Sequence, residues 1–353
     1  MAKLFILNLG STSSKIALFE DETMTSSQTF RHTSSELDVF PNVLSQTQFR
    51  KDVIDSWLKS QNVSLKDMDL IVVRGAVTKP IPGGIYLVDE AVYDDISHER
   101  NGSHISNVGI CIGYQWGKET SKQVVFVNAP MTDEYSDLAR VGGLKGMERR
   151  SGFHALNTKQ IALEYAKSIH KSITDLNLLI AHIGGGISVG IHEKGRVVDV
   201  SNALDGEGPF SPERAGGLTS RMVLQVIKEN NSDYEKIAKL LVGKGGLVSH
   251  LGTSDVKEVY ERSLTDPHAK LILDAMIYQI AKEIGAFSTV VNGKVDQILI
   301  TGGVAYNTYL IEELKKRVSW IAPVSVYPGE DEMRALASGG CRYLRKEESL
   351  KSY

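Results

Sequence analysis

The chain has 353 residues, 42% hydrophobic and 24% charged, with a net charge of −3. That length supplies a sizeable core and predicts two domains. The near-neutral balance excludes a nucleic-acid-binding face and a polybasic membrane patch, so any anionic ligand is held by local cations and backbone dipoles. Cys111 and Cys341 lie far apart and form no CxxC, which argues against a disulfide framework or cysteine metal site and fits buried thiols in a reducing cytoplasm. No apolar run approaches the ~18 residues of a membrane span. Met1-Ala2-Lys3 leads straight into a predicted strand, with no signal-peptide pattern.

Residues 5–19 read as an apolar strand, a small polar turn (Gly10-Ser11-Thr12-Ser13) and a second apolar strand. Residues 51–58 have helical spacing. Leu70-Ile71-Val72-Val73 is a buried-strand run ending at Arg74-Gly75, and Pro80, Pro82, Gly83 and Gly84 then make a loop. Val124-Val125-Phe126-Val127 is another buried strand, ending at Asn128-Ala129-Pro130. Polar residues at strand ends are where open α/β sheets place ligands. A helix is predicted over 157–171, then a second strand–turn–strand over 179–192 and a strand over 196–201. Residues 205–217 are too rich in Gly, Pro and charge for a regular element. A long amphipathic helix is predicted over 271–291. The strand Gln297-Ile298-Leu299-Ile300 breaks at Thr301-Gly302-Gly303, and helices follow over 310–318 and 334–347.

The two hairpins are copies of one pattern. Asn8 aligns with His182 and Gly10 with Gly184, an offset of 174 in both cases (182 − 8 and 184 − 10). A small-residue turn lets backbone N–H groups approach an anion closely. The first turn adds Ser and Thr hydroxyls and the Lys15 ammonium, which is what a phosphate needs. Two such turns predict two lobes closing on one phosphate chain and hence a phosphoryl-transfer enzyme. Neither is a P-loop, since no GxxxxGK[ST] occurs, and Gly184-Gly185-Gly186 fails the dinucleotide fingerprint because a strand follows it. Arg74, at a strand end, and Arg214, in a rigid Ser-Pro-Glu-Arg-Ala-Gly-Gly loop, are candidate anion clamps. His104, His154 and His182 have no metal-ligand spacing, which argues against a zinc enzyme. The acidic pair Asp133-Glu134 and the acidic triplet Glu330-Asp331-Glu332 sit in loops, where carboxylates beside a nucleotide can hold Mg²⁺.

These residues carry a resemblance. Asn8-Leu9-Gly10-Ser11-Thr12-Ser13-Ser14-Lys15, Ala181-His182-Ile183-Gly184-Gly185-Gly186-Ile187-Ser188 and Thr301-Gly302-Gly303-Val304-Ala305 resemble the two phosphate motifs and the adenosine motif of the acetate and butyrate kinase family. Lys79-Pro80-Ile81-Pro82-Gly83-Gly84, Phe153-His154-Ala155-Leu156-Asn157, residues 205–214 and residues 327–333 look like its butyrate branch. The resemblance implies an α/β fold of two duplicated actin-like (ribonuclease H-like) lobes with an inter-lobe active-site cleft. The lobes expected are 1–148 with 334–353, on the carboxylate and phosphate side, and 149–333, on the nucleotide side. It implies transfer of the ATP γ-phosphoryl to butyrate, giving butanoyl phosphate and ADP, with Mg²⁺ required and a homodimer or higher homo-oligomer. A branched acid is the alternative substrate. A nucleotide-binding relative with reduced or lost turnover is the alternative function.

By the same resemblance, Arg74 and Arg214 are the active-site arginines and His154 donates to the transferring phosphoryl. His104 and Asn107 lie by the carboxylate pocket, with Ala76 and Phe153 also lining the substrate. Asn8, Gly10, Ser11, Thr12, Ser13, Lys15, His182, Gly184, Gly185, Gly186, Gly302 and Gly303 bind ATP. Glu330 and Glu332 both flank the family's acidic Mg²⁺ position. One departure stands out: the family carries an aspartate where this chain has Asn128, and Asp133 is the nearest acid able to substitute. Ala76 replaces a valine of acetate kinases, which predicts a preference for butyrate or a branched acid over acetate.

The residue types suit the reaction. A carboxylate is already an anion and needs no general base; the obstacle is its repulsion from a triphosphate. Two arginines, a histidine donor, a lysine and Mg²⁺ would neutralise that repulsion. A sugar kinase, by contrast, must deprotonate a hydroxyl, for which Asn128 is poorly suited.

Overall fold

The computed structural model describes all 353 residues, which form two compact units, Met1–Thr132 with Asp331–Tyr353, and Asp133–Glu330. The first boundary thus falls at 132/133, not at 148/149, and the second at 330/331, not at 333/334. The reason lies in what 133–148 touches. Ser136 N–H donates to Val198 O at 2.9 Å and Tyr135 Oη to Val200 O at 2.6 Å. Lys159 Nζ holds Glu134 at 2.8 Å, and Val197 N–H donates to the same carboxylate at 2.7 Å. This segment covers the edge of the second unit's sheet.

Unit 1 is built on a seven-stranded sheet. Its strands are β1 (Lys3–Gly10), β2 (Ser13–Glu20), β3 (Thr23–Arg31), β4 (Leu70–Arg74), β5 (Ile85–Leu87), β6 (Val124–Val127) and β12 (Leu350–Lys351), in the order β12-β5-β6-β4-β1-β2-β3. Unit 2 has a five-stranded sheet of β7 (Asn177–Ile183), β8 (Ile187–Glu193), β9 (Arg196–Val200), β10 (Gln297–Gly302) and β11 (Val324–Pro328), in the order β11-β10-β7-β8-β9. The two share one plan. Each has an antiparallel three-strand meander (β1-β2-β3, β7-β8-β9), and each adds two parallel strands beside its first strand (β4 and β6, β10 and β11). Both meanders even shift register at matching places, between Leu18 and Phe19 and between Ile191 and His192.

Burial explains the sequence pattern. The central strands β1, β4, β7 and β10 are apolar along nearly their whole length because helices cover both faces. Edge strand β3, TMTSSQTFR, is polar and has no buried residue. Helix Glu332–Leu344 docks on unit 1 through paired glycines: a Cβ on Gly339 would lie 2.6 Å from Val127, and one on Gly340 2.6 Å from Leu4. That close approach carries Glu332 to the carboxyl ends of β1 and β4. Helix Ile105–Thr120, which no expectation covered, packs under the same sheet, with Gly113 against Val73. Cys111 and Cys341 are free and buried, and burial pushes both thiols up to about 11.

Candidate active site

In unit 1, Ser11 and Thr12 join β1 to β2, with Gly10 opposite Ser13 and Asn8 opposite Lys15. The turn's underside is held by a residue that no motif marks. Arg50, on helix Thr47–Ser60, has no solvent exposure. Its Nη1 donates to Gly10 O and Ser13 O, both at 3.0 Å, and to Ser14 Oγ at 3.2 Å; its Nη2 donates to Ser11 O at 2.7 Å. The available signal was its spacing: Arg50, Ile54 and Leu58 recur every four residues along one buried helix face.

Asn8, Arg74 and Glu332 meet at the ends of β1 and β4. Asn8 Nδ2 donates to Glu332 Oε2 at 2.7 Å, and Arg74 Nη2 pairs with Glu332 Oε1 at 3.1 Å. Arg74 Nη1 also reaches Asn8 Oδ1 at 3.4 Å. His104 caps helix Ile105–Thr120, its Nδ1 accepting from Ser106 N–H at 3.2 Å. Burial, and then the Arg74 charge, hold this imidazole below its usual range. Asn107 fixes the segment after Arg74: Oδ1 accepts from Val77 N–H at 3.2 Å and Nδ2 donates to Gly102 O at 2.9 Å. Ala76 is wholly buried in the unit's core. Asn128 takes a left-handed backbone (φ 43°) at the end of β6 and clamps Gly84 twice: Oδ1 accepts from Gly84 N–H at 2.8 Å, and its own N–H donates to Gly84 O at 2.9 Å.

In unit 2, His154 and His182 stack, with ring centroids 3.8 Å apart and planes 11° off parallel. His154 Nδ1 lies 2.8 Å from Ser188 Oγ, and His182 Nδ1 lies 2.9 Å from Asn157 Oδ1. Burial, and then Arg214, push His182 down to about 3, so its ring is neutral. Glu330 Oε2 sits 3.4 Å from His182 Nε2. The Gly184-Gly185-Gly186 turn joins β7 to β8. A Cβ on Gly184 would lie 3.0 Å from His182 Nε2, and one on Gly186 only 2.7 Å from Arg214 Cζ. Arg214 is held by its loop. Ser211 Oγ donates to Gly185 O at 2.6 Å and accepts from Arg214 N–H at 3.1 Å, while Arg214 Nη1 donates to Ala203 O at 2.7 Å. Burial keeps this guanidinium below its ordinary value.

Gly302 must be glycine: φ is +96°, and a Cβ would sit 2.3 Å from Ile183 O. Gly303 faces open space and lines a cavity of about 350 Å³ with Gly185, Glu213, Lys257, Tyr306 and Asn307. That volume lies in the range of small-molecule sites. The second and third glycine motifs therefore border one cavity.

Two expected residues are engaged elsewhere. Asp133 is gripped by Arg140 through two bonds of 2.8 Å, a complete bidentate pair. Phe153 is buried against Tyr135, Ala139, Ala155, Val197 and Val200. The two acidic candidates have different company, Glu332 with Asn8 and Arg74, Glu330 with His182. Chemically, each unit presents a small-residue turn with a guanidinium beside it, an arrangement suited to phosphate oxygens.

The chain is similar to several known proteins. Residues 143–324 match the model of the acetokinase family. Butyrate kinase 1 of Clostridium acetobutylicum is 44% identical over 354 aligned positions, covering 100% of both chains. Among solved structures, Porphyromonas gingivalis acetate kinase superposes with a TM-score of 0.79 at 18% identity, covering 98% of this chain and 100% of that one. A propionate kinase from Francisella tularensis gives 0.74 at 15% identity, covering 96% and 99%. The fold is accordingly that of the actin-like ATPases, and the chain belongs to the acetokinase family.

Proposed function

We propose that the protein is a butyrate kinase, transferring the γ-phosphoryl of ATP directly to the butyrate carboxylate to give butanoyl phosphate and ADP. Full-length identity of 44% to a protein named butyrate kinase supports the substrate. The observation that carries the chemistry is that each unit sets a guanidinium at its hairpin, Arg74 against Asn8 and Arg214 against Gly186. In-line transfer between two anions needs fixed positive charge at the phosphoryl group and little else. Arg74 is oriented by Glu332 and Asn8, and Arg214 by Ala203 O and the Ser211 turn.

His154 is the proposed donor to the phosphoryl oxygens. Ser188 Oγ–H donates to its Nδ1 in this reading, which leaves the proton on Nε2. The neutral His182 ring stacked beside it excludes a second cation there and holds the donor ring in plane. The first turn with Lys15 is suited to phosphate oxygens, and within the other unit the cavity beside Gly185 and Gly303 has room for an adenosine.

Glu332 supplies a carboxylate, the hard oxygen donor that Mg²⁺ takes while keeping most of its water, and Asn8 Nδ2 and Arg74 hold it in place. Glu332 is thus the proposed ligand in preference to Glu330, which lies against His182. When bound, the ion would supply neutralisation of phosphate charge. Asn128 is assigned to shaping the Gly83-Gly84 loop, and no residue is needed as a base, because the nucleophile is already ionised. The reading also takes the enzyme to be a cytoplasmic homo-oligomer. A coupled ADP-release assay with butyrate, with and without Mg²⁺, tests it; ADP release that ignores the acid would refute it.

A further inference from the structure

Arg50 is a buried cation without an anion. Its acceptors are the Gln46 amide at 3.0 Å, three backbone carbonyls and the Ser14 hydroxyl, all neutral. The other buried cations of the chain behave otherwise: Lys51 pairs with Asp55 and Glu119, and Lys159 with Glu134. Burial alone brings the guanidinium down to about 10, so it stays charged at neutral pH. The nearby His32, itself held down by burial and then by Arg50, is neutral and adds no second charge. A buried charge without a counter-charge is costly to keep.

The bonds also orient the turn. In a trans peptide the C=O and N–H point in opposite directions. With the carbonyls of Gly10 and Ser11 drawn inward onto Arg50, the N–H groups of Ser11 and Thr12 point outward, where both residues are exposed. Bonding to a cation polarises those peptides and strengthens the N–H groups as donors.

We propose that Arg50 is a positioning residue for the nucleotide's phosphates, pinning the first turn from behind and taking the bound phosphate chain as the counter-charge it lacks. This rests on the first turn being a phosphate site. Calorimetric titration of ADP and of adenosine into the wild type, Arg50→Lys and Arg50→Gln tests it. ADP affinity falls about tenfold or more in Arg50→Gln, while adenosine affinity moves less than about twofold, because only the phosphates feel the lost charge. Arg50→Lys, which keeps charge without the fork, recovers part of the loss. Unchanged ADP affinity in Arg50→Gln, or equal loss of ADP and adenosine, overturns the proposal. If Arg50→Gln does not fold, Gln46→Leu loosens the same guanidinium more gently. There ADP is expected to weaken by about threefold with adenosine unchanged, and wild-type ADP affinity overturns the proposal equally. Lys15→Ala separates the two claims: if it leaves ADP affinity intact, the reading of the turn fails, whatever Arg50 does.

Discussion

Gly186 lies under Arg214: a Cβ there would be 2.7 Å from the guanidinium carbon. Any side chain at 186 moves the cation. The displaced atoms are the far end of a flexible side chain, so the fold can absorb the change while the site cannot. Gly186→Ala is expected to keep its Tm within a few degrees and to lose about tenfold to a hundredfold in kcat, the scale of an ångström's misplacement. Steady-state kinetics beside thermal unfolding checks both halves, and wild-type turnover would remove Arg214 from the chemistry.

Removing either guanidinium outright goes further. Arg74→Ala and Arg214→Ala are each expected to lower kcat by well over ~10-fold, since a phosphoryl-transfer arginine can be worth 10³-fold or more. Arg74 is only part-buried and leaves Asn8 bonded to Glu332, so folding survives its loss. Circular dichroism with kinetics distinguishes a dead folded enzyme from a misfolded one.

Asn128 is predicted to be a stability residue. Asn128→Ala leaves Gly84 N–H without its acceptor and puts a non-polar side chain at φ 43°. The expected cost is about 1–3 kcal/mol in urea unfolding. Asn128→Asp keeps the acceptor and is expected to unfold like the wild type. Equal stability of the alanine variant would show that the clamp is idle.

Acid should destabilise the protein through two buried imidazoles. Burial, aided by Arg214 for His182 and by Lys159 against an opposing Glu134 for His192, pushes both from 6.5 to about 3. The unfolded chain takes up these protons below pH ~6.5 and the folded chain does not, so stability is full above that pH and is lost as pH falls toward 3. At pH 5 each contributes a loss of about 2 kcal/mol. His192 Nδ1 has no partner. His192→Leu should therefore shrink the difference between urea unfolding at pH 7.5 and pH 5 by about 2 kcal/mol; an unchanged difference would contradict the assignment.

The duplicated hairpins, the strands ending at Arg74 and Asn128, and the glycine turns were legible because each is a local pattern of apolar runs and small residues. Helix Ile105–Thr120 was not, because its glycines serve packing against Leu9, Val73 and Val124 and dilute the helical period. Arg50 was invisible for a different reason. Its partners are backbone carbonyls about 40 residues away in sequence, and such contacts leave no residue pattern. The company of Asp133 and Glu332 is likewise tertiary: Arg140 neutralises the first, and the docking of the last helix delivers the second to Asn8.

The central claim is a phosphoryl transfer to a short fatty acid. The most direct measurement incubates the purified chain with ATP, Mg²⁺ and hydroxylamine, offers acetate, propionate, butyrate and isobutyrate in turn, and follows both hydroxamate and ADP. One hydroxamate is expected per ADP, with butyrate favoured over acetate by roughly tenfold in kcat/KM, the worth of two buried methylenes. Hydroxamate absent with every acid, or ADP appearing at the same rate without any, would contradict it.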